Sequence, residues 1–191
     1  MFKYKYLLTG VFTLLLSFTI FAQENITPQR KQAIDSLALE KVNDLGKYIS
    51  IIGNKNTPFS EAKRVIDRAL ELFVADAEMG VSSLSRQTVK NYTVREYFER
   101  LMALNYDRVK IDWFNIQYIS DLERQPDGKY VGVITVYQRF QGESDDGLKY
   151  MDTTKKDITI YVERKQTQIG GRIIGFWDVL LGDIRVTETA E

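Results

Sequence analysis

Apolar residues recur at steps of three and four along the first half of the chain, which is the spacing of helices that bury one face. The clearest run begins at Thr27-Pro28, where a capping residue precedes a proline suited to the first helical turn. Gly53-Asn54 ends this run. Its apolar stripe consists of Ile34, Leu37, Ala38, Val42, Leu45, Ile49 and Ile52. The pattern therefore predicts a long amphipathic helix from Thr27 to Ile52.

Two further helices follow the same rule. Ser60 can cap a second helix that runs to Met79, and Gly80 closes it because glycine accepts the left-handed conformation. Its apolar stripe consists of Ala62, Val65, Ile66, Ala69, Leu70, Phe73 and Ala77. A third helix is predicted over Thr93–Leu104, and its first four residues have the spacing of a capping box. Residues 81–92 show no clear period.

From Tyr106 onward the pattern alternates, with β-branched and aromatic residues in runs separated by turn residues. The predicted strands cover 109–119, 129–141, 157–164, 172–181 and 183–187. The turns between them are Pro126-Asp127-Gly128, Asp145-Asp146-Gly147 and Gly170-Gly171, and Gly182 is expected to kink the last strand pair. Such short turns favour antiparallel pairing.

Helices followed by a run of strands predict an α+β fold. We expect N-terminal helices packed on a strongly curved antiparallel sheet of four to six strands. The first helix and its turn, residues 23–58, are interpreted as an accessory segment, and residues 59–191 as the α+β domain. Many strands carry large apolar side chains on both faces, which predicts a bent sheet, a covered outer face or a dimer.

The N-terminus has the composition of a secretory signal peptide over residues 1–22. Lys3 and Lys5 precede an apolar run from Leu7 to Phe21, and Ala22-Gln23 follows it. The run is short for a permanent span, which takes about twenty apolar residues. The sequence thus predicts an exported protein, periplasmic or secreted, without a membrane span after cleavage. The alternative is that the segment is retained as an N-terminal anchor.

Composition excludes several classes of chemistry. The chain has no cysteine and no histidine, so thiolate or imidazole metal sites and nucleophiles activated by histidine are excluded. Its 26 basic and 26 acidic residues balance, and this gives no general attraction to nucleic acid. The turn acids lack the spacing of a calcium loop. We therefore expect no metal, no cofactor and no nucleic-acid partner.

The order of elements resembles the nuclear transport factor 2-like superfamily, an α+β cone that includes SnoaL-like and ketosteroid isomerase-like groups and has a cystatin-like layout. The matching features are the helices Ser60–Met79 and Thr93–Leu104 and the long strands that end at Gly171–Thr187. They cover about two-thirds of the chain. The sequence is similar to uncharacterised secreted bacterial proteins. The resemblance implies a fold that hosts enzymes, ligand binders and dimer modules alike.

Isomerases of this fold use a carboxylate base together with a tyrosine or a protonated acid that holds the oxyanion. Asp178 is the candidate base, because alternation places it on the strand face of Ile174, Phe176 and Leu180. The alternatives are that this face points outward, or that Asp178 pairs with Arg172 or a lysine.

Tyr118 and Tyr137 are the candidate oxyanion donors, and Asp112 and Asp157 are weaker candidate acids. The polar stretch 150–156 is interpreted either as the rim of a site or as the approach to a hairpin.

Five aromatic residues of the strands are candidates for contact with a ligand or partner: Trp113, Phe114, Tyr137, Phe176 and Trp177. Large rings of this kind mostly fill cores, but two-sided aromatic strands also line apolar cavities or build sheet-to-sheet interfaces.

The leading hypothesis is an exported, non-enzymatic binding or assembly module of the bacterial envelope. Its sheet would contact a second copy, as a homodimer, or another envelope protein, and its cone would hold a small apolar ligand. The alternative is a cofactor-free isomerase or lyase. A third hypothesis is that the helix over residues 27–52 docks its stripe into a partner groove.

Overall fold

A computed structural model describes residues 26–118 and 120–190. The side chains of Arg86, Gln87 and Tyr118 also lie outside the described part. The predicted signal peptide, residues 1–22, falls outside it as well, so export stays a prediction. Among the helices of the described residues, none is long and apolar enough to cross a bilayer.

Three helices lie within the described ranges: α1 (Pro28–Gly53), α2 (Phe59–Leu70) and α3 (Val94–Met102). The predicted caps of the first and third are confirmed. The Thr27 hydroxyl accepts a hydrogen bond from the Arg30 amide, and Thr93 and Glu96 form the reciprocal capping box.

The second helix is shorter than predicted. Sequence pattern extended it to Met79, but α2 ends at Leu70. The chain leaves the helix because its backbone pairs with a later strand: the Val74 amide donates to Leu181 O at 2.8 Å, and the Leu181 amide donates to Leu72 O at 2.8 Å. Asp76 then turns the chain at φ 62°, and strand pairing begins two residues later.

Seven strands of the described residues form one sheet, in the order β2-β1-β7-β6-β5-β3, with β4 beside β5. They are β1 (Glu78–Ser83), β2 (Arg86–Thr93), β3 (Arg108–Tyr118), β4 (Glu123–Arg124), β5 (Tyr130–Glu143), β6 (Lys149–Ile169) and β7 (Arg172–Ala190). The prediction of four to six strands is too low, because residues 81–92 form most of the β1–β2 hairpin. The sheet is mixed rather than wholly antiparallel, because β1 runs parallel to β7.

The α+β prediction, with helices on one face of a curved sheet, is confirmed, and the arrangement is the one that the resemblance to the nuclear transport factor 2-like superfamily implies. We call the helix-covered face of the sheet the inner face. Gly182 lies where the β6–β7 register shifts, as predicted, and a Cβ there would come within 2.5 Å of the Tyr161 ring.

Helix α1 lies in the same core as the sheet. Its buried residues Ile34, Ala38, Val42, Leu45, Ile49 and Ile52 join strand residues in one cluster. The Ser50 hydroxyl donates to Ile111 O of β3 at 2.7 Å. The hypothesis that this stripe docks into a partner groove is therefore wrong, because the chain's own core covers the stripe. The division between residues 23–58 and 59–191 stays a prediction.

Candidate functional site

The inner face of β6 changes from apolar to polar along its length. Ile158, Ile160 and Val162 are buried, as alternation requires. The same face continues toward the start of the strand with three polar side chains that are only 2–4% exposed: Asp152, Thr154 and Lys156. Burying polar and charged groups costs free energy unless they find partners. A row of them on one strand therefore marks a specialised part of the core.

These side chains line a cavity of about 430 Å³ between the sheet and α3. Tyr97 and Leu101 of α3 form one wall, while Gln138 and Phe140 of β5 form another. The β1–β2 hairpin contributes Val81, Ser82, Ser83 and Tyr92. The cavity thus combines ring and aliphatic surface with a few polar groups, which is the usual composition of a small-molecule site.

Asp152 is held by a neighbouring phenol. Tyr150 Oη donates to Asp152 Oδ2 at 2.5 Å, and the Leu84 amide donates to Tyr150 Oη at 3.0 Å. Burial raises the pKa of Asp152 above its ordinary value, although the Tyr150 bond and the charge of Lys156 oppose this shift. Burial also raises the pKa of Tyr150 to about 12, so this phenol stays protonated at neutral pH.

Lys156 is the buried cation of the cavity. Its Nζ donates to Gly80 O at 3.3 Å and lies 5.6 Å from the centre of the Tyr97 ring. Burial lowers the pKa of Lys156 to about 8, with the charge of Asp152 acting in the opposite direction. Burial likewise raises the pKa of Tyr97. Near neutral pH the amine is thus close to the point at which it gives up its proton.

Gln138 in the cavity wall is hydrogen-bonded through its side chain and through its main-chain oxygen. Trp113 Nε1 donates to Gln138 Oε1 at 3.2 Å, and the Thr154 hydroxyl donates to Gln138 O at 3.5 Å. A second cation, Arg100, lies with its guanidinium 4.3 Å from the centre of the Tyr92 ring, and both residues line the cavity. The lining thus holds two cationic side chains, the buried Lys156 and the solvent-exposed Arg100, and the carboxylate of Asp152.

Asp178, the predicted base, does not line this cavity. It accepts a hydrogen bond from Lys165 Nζ at 2.6 Å, and Lys41 Nζ lies 4.0 Å away. This pairing with lysine is the structural alternative that the sequence left open. The assignment of faces was wrong: Val179 and Leu181 point into the core, so Asp178 lies on the other face of β7.

Tyr137, one of the two predicted oxyanion donors, is not brought together with a base. Tyr137 stacks on Phe114 with 5.8 Å between ring centres and does not line the cavity. The side chain of Tyr118 lies outside the described residues. The weaker candidate Asp157 accepts a hydrogen bond from the Thr135 hydroxyl at 2.6 Å, and Asp112 pairs with Lys110 at 2.9 Å.

The remaining predicted aromatic residues also lie outside the cavity. Trp177 packs edge-on against Tyr130 at 5.8 Å, whereas Phe176 is exposed. Trp113 does not line the cavity itself, but it donates a hydrogen bond to Gln138, which does.

The stretch 150–156, which the sequence left open as the rim of a site or the approach to a hairpin, supplies Tyr150, Asp152, Thr154 and Lys156 to the cavity lining, whereas Tyr97, Arg100 and Gln138 were missed. The signal for the four residues of this stretch was present, because alternation from Ile158, Ile160 and Val162 runs back through their even-numbered positions. Within the described ranges no group of three or more Asp or Glu side chains is placed to hold a metal ion.

No family model and no curated protein matches the chain. Among solved structures, the chain is similar to a proposed scytalone dehydratase from Novosphingobium aromaticivorans DSM 12444, with a TM-score of 0.43 and 12% identity over 85% of this chain and 90% of that one. It is also similar to a type 2 hexachlorocyclohexane dehydrochlorinase (LinA), with a TM-score of 0.37 and 14% identity over 83% of this chain and 91% of that one.

Proposed function

We propose that the cavity binds a small apolar molecule that carries an anionic oxygen group, and that the chain acts as a binding module of the bacterial envelope. The observation that carries the proposal is that two cationic side chains, Lys156 and Arg100, and one carboxylate, Asp152, line a cavity with ring and aliphatic walls. Its volume of about 430 Å³ suits a ligand of modest size. The envelope location rests on the N-terminal pattern alone.

The polar groups argue for an acid rather than a neutral ligand. Lys156 has three N–H donors, and the Gly80 carbonyl accepts from one of them. Arg100 adds guanidinium donors at the α3 side of the cavity. A carboxylate or sulfonate on the ligand would accept hydrogen bonds from both the buried Lys156 amine and the solvent-exposed Arg100 guanidinium.

The probe for this proposal is 8-anilinonaphthalene-1-sulfonate, an aromatic anion whose fluorescence rises in apolar surroundings. Ser83→Trp places a large ring in the cavity wall and is expected to weaken saturable probe binding at least tenfold. Ser36→Trp, on the exposed side of α1, is the matched control and is expected to leave binding unchanged. If the two variants give equal titration curves, the probe binds outside the cavity and the proposal is wrong.

The second candidate function is cofactor-free acid–base catalysis in the same cavity. It is favoured by the 2.5 Å Tyr150–Asp152 bond and by the shifted pKa values, since burial raises that of Asp152 and lowers that of Lys156. Asp152 would take a proton from carbon, and the Lys156 ammonium would stabilise the oxygen anion that forms. This reading keeps the predicted carboxylate base but moves it from Asp178 to Asp152, and it replaces the predicted tyrosine oxyanion donor with Lys156.

Ring opening of 5-nitrobenzisoxazole tests this candidate, because the base removes one C–H proton while the N–O bond breaks to give a coloured phenolate. Asp152→Asn is expected to reduce the rate at least tenfold, since positioned bases typically contribute about 10²–10⁴. Asp157→Asn, on the same strand but outside the cavity, is expected to keep the rate. If the two variants open the ring equally fast, the cavity supplies no positioned base.

The envelope proposal includes a sheet-mediated contact with a second copy or another protein. It is supported by the Phe114–Tyr137 stack, with the Arg139 guanidinium 5.1 Å from the centre of the Phe114 ring. These rings are half-buried within one chain and so retain surface for a partner. If light scattering at micromolar concentration gives a monomeric molar mass, the chain does not make this contact with a second copy.

A further inference from the structure

The far end of the β6–β7 hairpin extends beyond the rest of the sheet. Pairing between β5 and β6 ends at Tyr130–Val162, whereas β6 and β7 continue to pair from Glu163–Asp178 to Ile169–Arg172. We call residues 163–178 the distal ribbon. Its seven residue pairs span about 20 Å at the usual rise per residue. Gly170 and Gly171 close it with φ values of 56° and 79°, as a two-residue hairpin turn requires.

The distal ribbon concentrates exposed apolar surface. Four of its large apolar side chains, Ile169, Ile173, Ile174 and Phe176, are between 42% and 72% exposed. Cross-strand register places Ile169, Ile174 and Phe176 on one face, and Ile173 lies beside the turn on the other. A concentration of exposed large apolar side chains commonly marks a contact site.

The charge of the ribbon selects among possible partners. No acidic residue occurs from Arg164 to Trp177, whereas Arg164, Lys165 and Arg172 are cationic. Lys165 pairs with Glu163 and Asp178 at the base of the ribbon. The outer part therefore combines apolar side chains with positive charge.

We propose that the distal ribbon docks on the surface of an anionic lipid bilayer. Ile169, Ile173 and Ile174 lie in the boundary between headgroups and acyl chains, and Arg172 binds lipid phosphate. The seating is shallow, because the outer edges of a two-stranded ribbon carry backbone groups that need water or headgroups as partners. This role is independent of the cavity, which lies at the other end of β6.

Vesicle co-sedimentation tests the proposal, with phosphatidylcholine vesicles prepared with and without phosphatidylglycerol. Residues 23–191 are used in every arm, because the described fold lies within 26–190 and the apolar run at 7–21 would bind lipid by itself. Binding is expected only to the anionic vesicles and is expected to weaken with added salt. Ile173→Glu and Arg172→Glu are each expected to reduce it at least tenfold.

Leu148→Glu is the matched control, because Leu148 is 67% exposed in the turn between β5 and β6. It is expected to bind like the unaltered chain, and all variants are expected to unfold at the same urea concentration. Absence of vesicle binding, or equal loss in Leu148→Glu, overturns the proposal. A dimeric mass that Ile173→Glu converts to a monomeric one, without lipid binding, would assign the ribbon to contact between copies instead.

Discussion

Replacement of Lys156 by methionine is expected to stabilise the fold at pH 7 while weakening probe binding in the cavity. Burial lowers the pKa of this amine from 10.5 to about 8, so the folded chain holds its proton less tightly than the unfolded chain does. The resulting penalty is fully present below pH 8, where it amounts to about 3 kcal/mol, and it disappears as the pH rises toward 10.5. A methionine of similar length carries no such penalty.

The net gain in the free energy of unfolding is expected to be about 1–3 kcal/mol, smaller than the full penalty. The variant leaves the Gly80 carbonyl without the Lys156 donor and removes the cation that opposes the burial of Asp152. Urea unfolding at pH 7 and pH 10 measures the effect. The difference between the two proteins should shrink at the higher pH, because the amine of the unaltered chain is then neutral in the folded state.

Lys155→Met is the control, because Lys155 directly precedes Lys156 in β6 and its side chain points away from the core. It is expected to change stability by less than about 0.5 kcal/mol and to leave probe binding intact. Parallel pH profiles for the unaltered chain and Lys156→Met would contradict the shifted pKa. A cavity residue that lowers stability yet supports binding has the stability–function trade-off expected of a functional site.

Local signals in the sequence predicted local structure well. The capping spacing at Thr93 and Glu96 and the apolar stripe of α1 are both found as predicted, because each depends on residues within one or two turns of helix. The turns at Gly128 and Gly147 are likewise found, with φ values of 86° and 88°.

Longer-range pairing was harder to predict. The apolar residues after Leu70 fit a helix by their spacing, but hydrogen bonds between the 72–74 segment and Leu181 draw them to the sheet. Nothing local to residues 71–79 encodes that pairing. The β1–β2 hairpin was missed for a similar reason, because its described side chains are mostly exposed and its sequence has no strong alternation.

The candidate site was assigned to the wrong strand for a specific physical reason. On the distal ribbon, apolar residues such as Ile174 and Phe176 face solvent, so apolar alternation there does not identify the core. At Gly182 the register shift reverses the alternation, and both Leu181 and Ile184 are buried. On β6, by contrast, extending the pattern back from Ile158 would have placed Lys156, Thr154 and Asp152 inside.

Leu45→Ala is expected to lower the free energy of unfolding by about 2–5 kcal/mol, because it leaves a cavity in a part of the core that cannot fully collapse. Leu45 is 0% exposed at the centre of α1. Leu148→Ala removes the same atoms from a side chain that is 67% exposed, and it is expected to change stability by less than about 0.5 kcal/mol. Urea unfolding of both variants compares the same leucine-to-alanine change at a buried and at an exposed position.

The same pair decides whether the segment 23–58 is an accessory. If α1 were a detachable addition, Leu45→Ala would barely change the unfolding of the sheet, and a chain without residues 27–52 would still unfold cooperatively. We expect that deletion to abolish cooperative unfolding, because α1 supplies six buried residues to the cluster that also holds Ile111 and Leu101. Ile111 and Leu101 line the cavity as well. Loss of α1 is therefore expected to remove probe binding together with the fold.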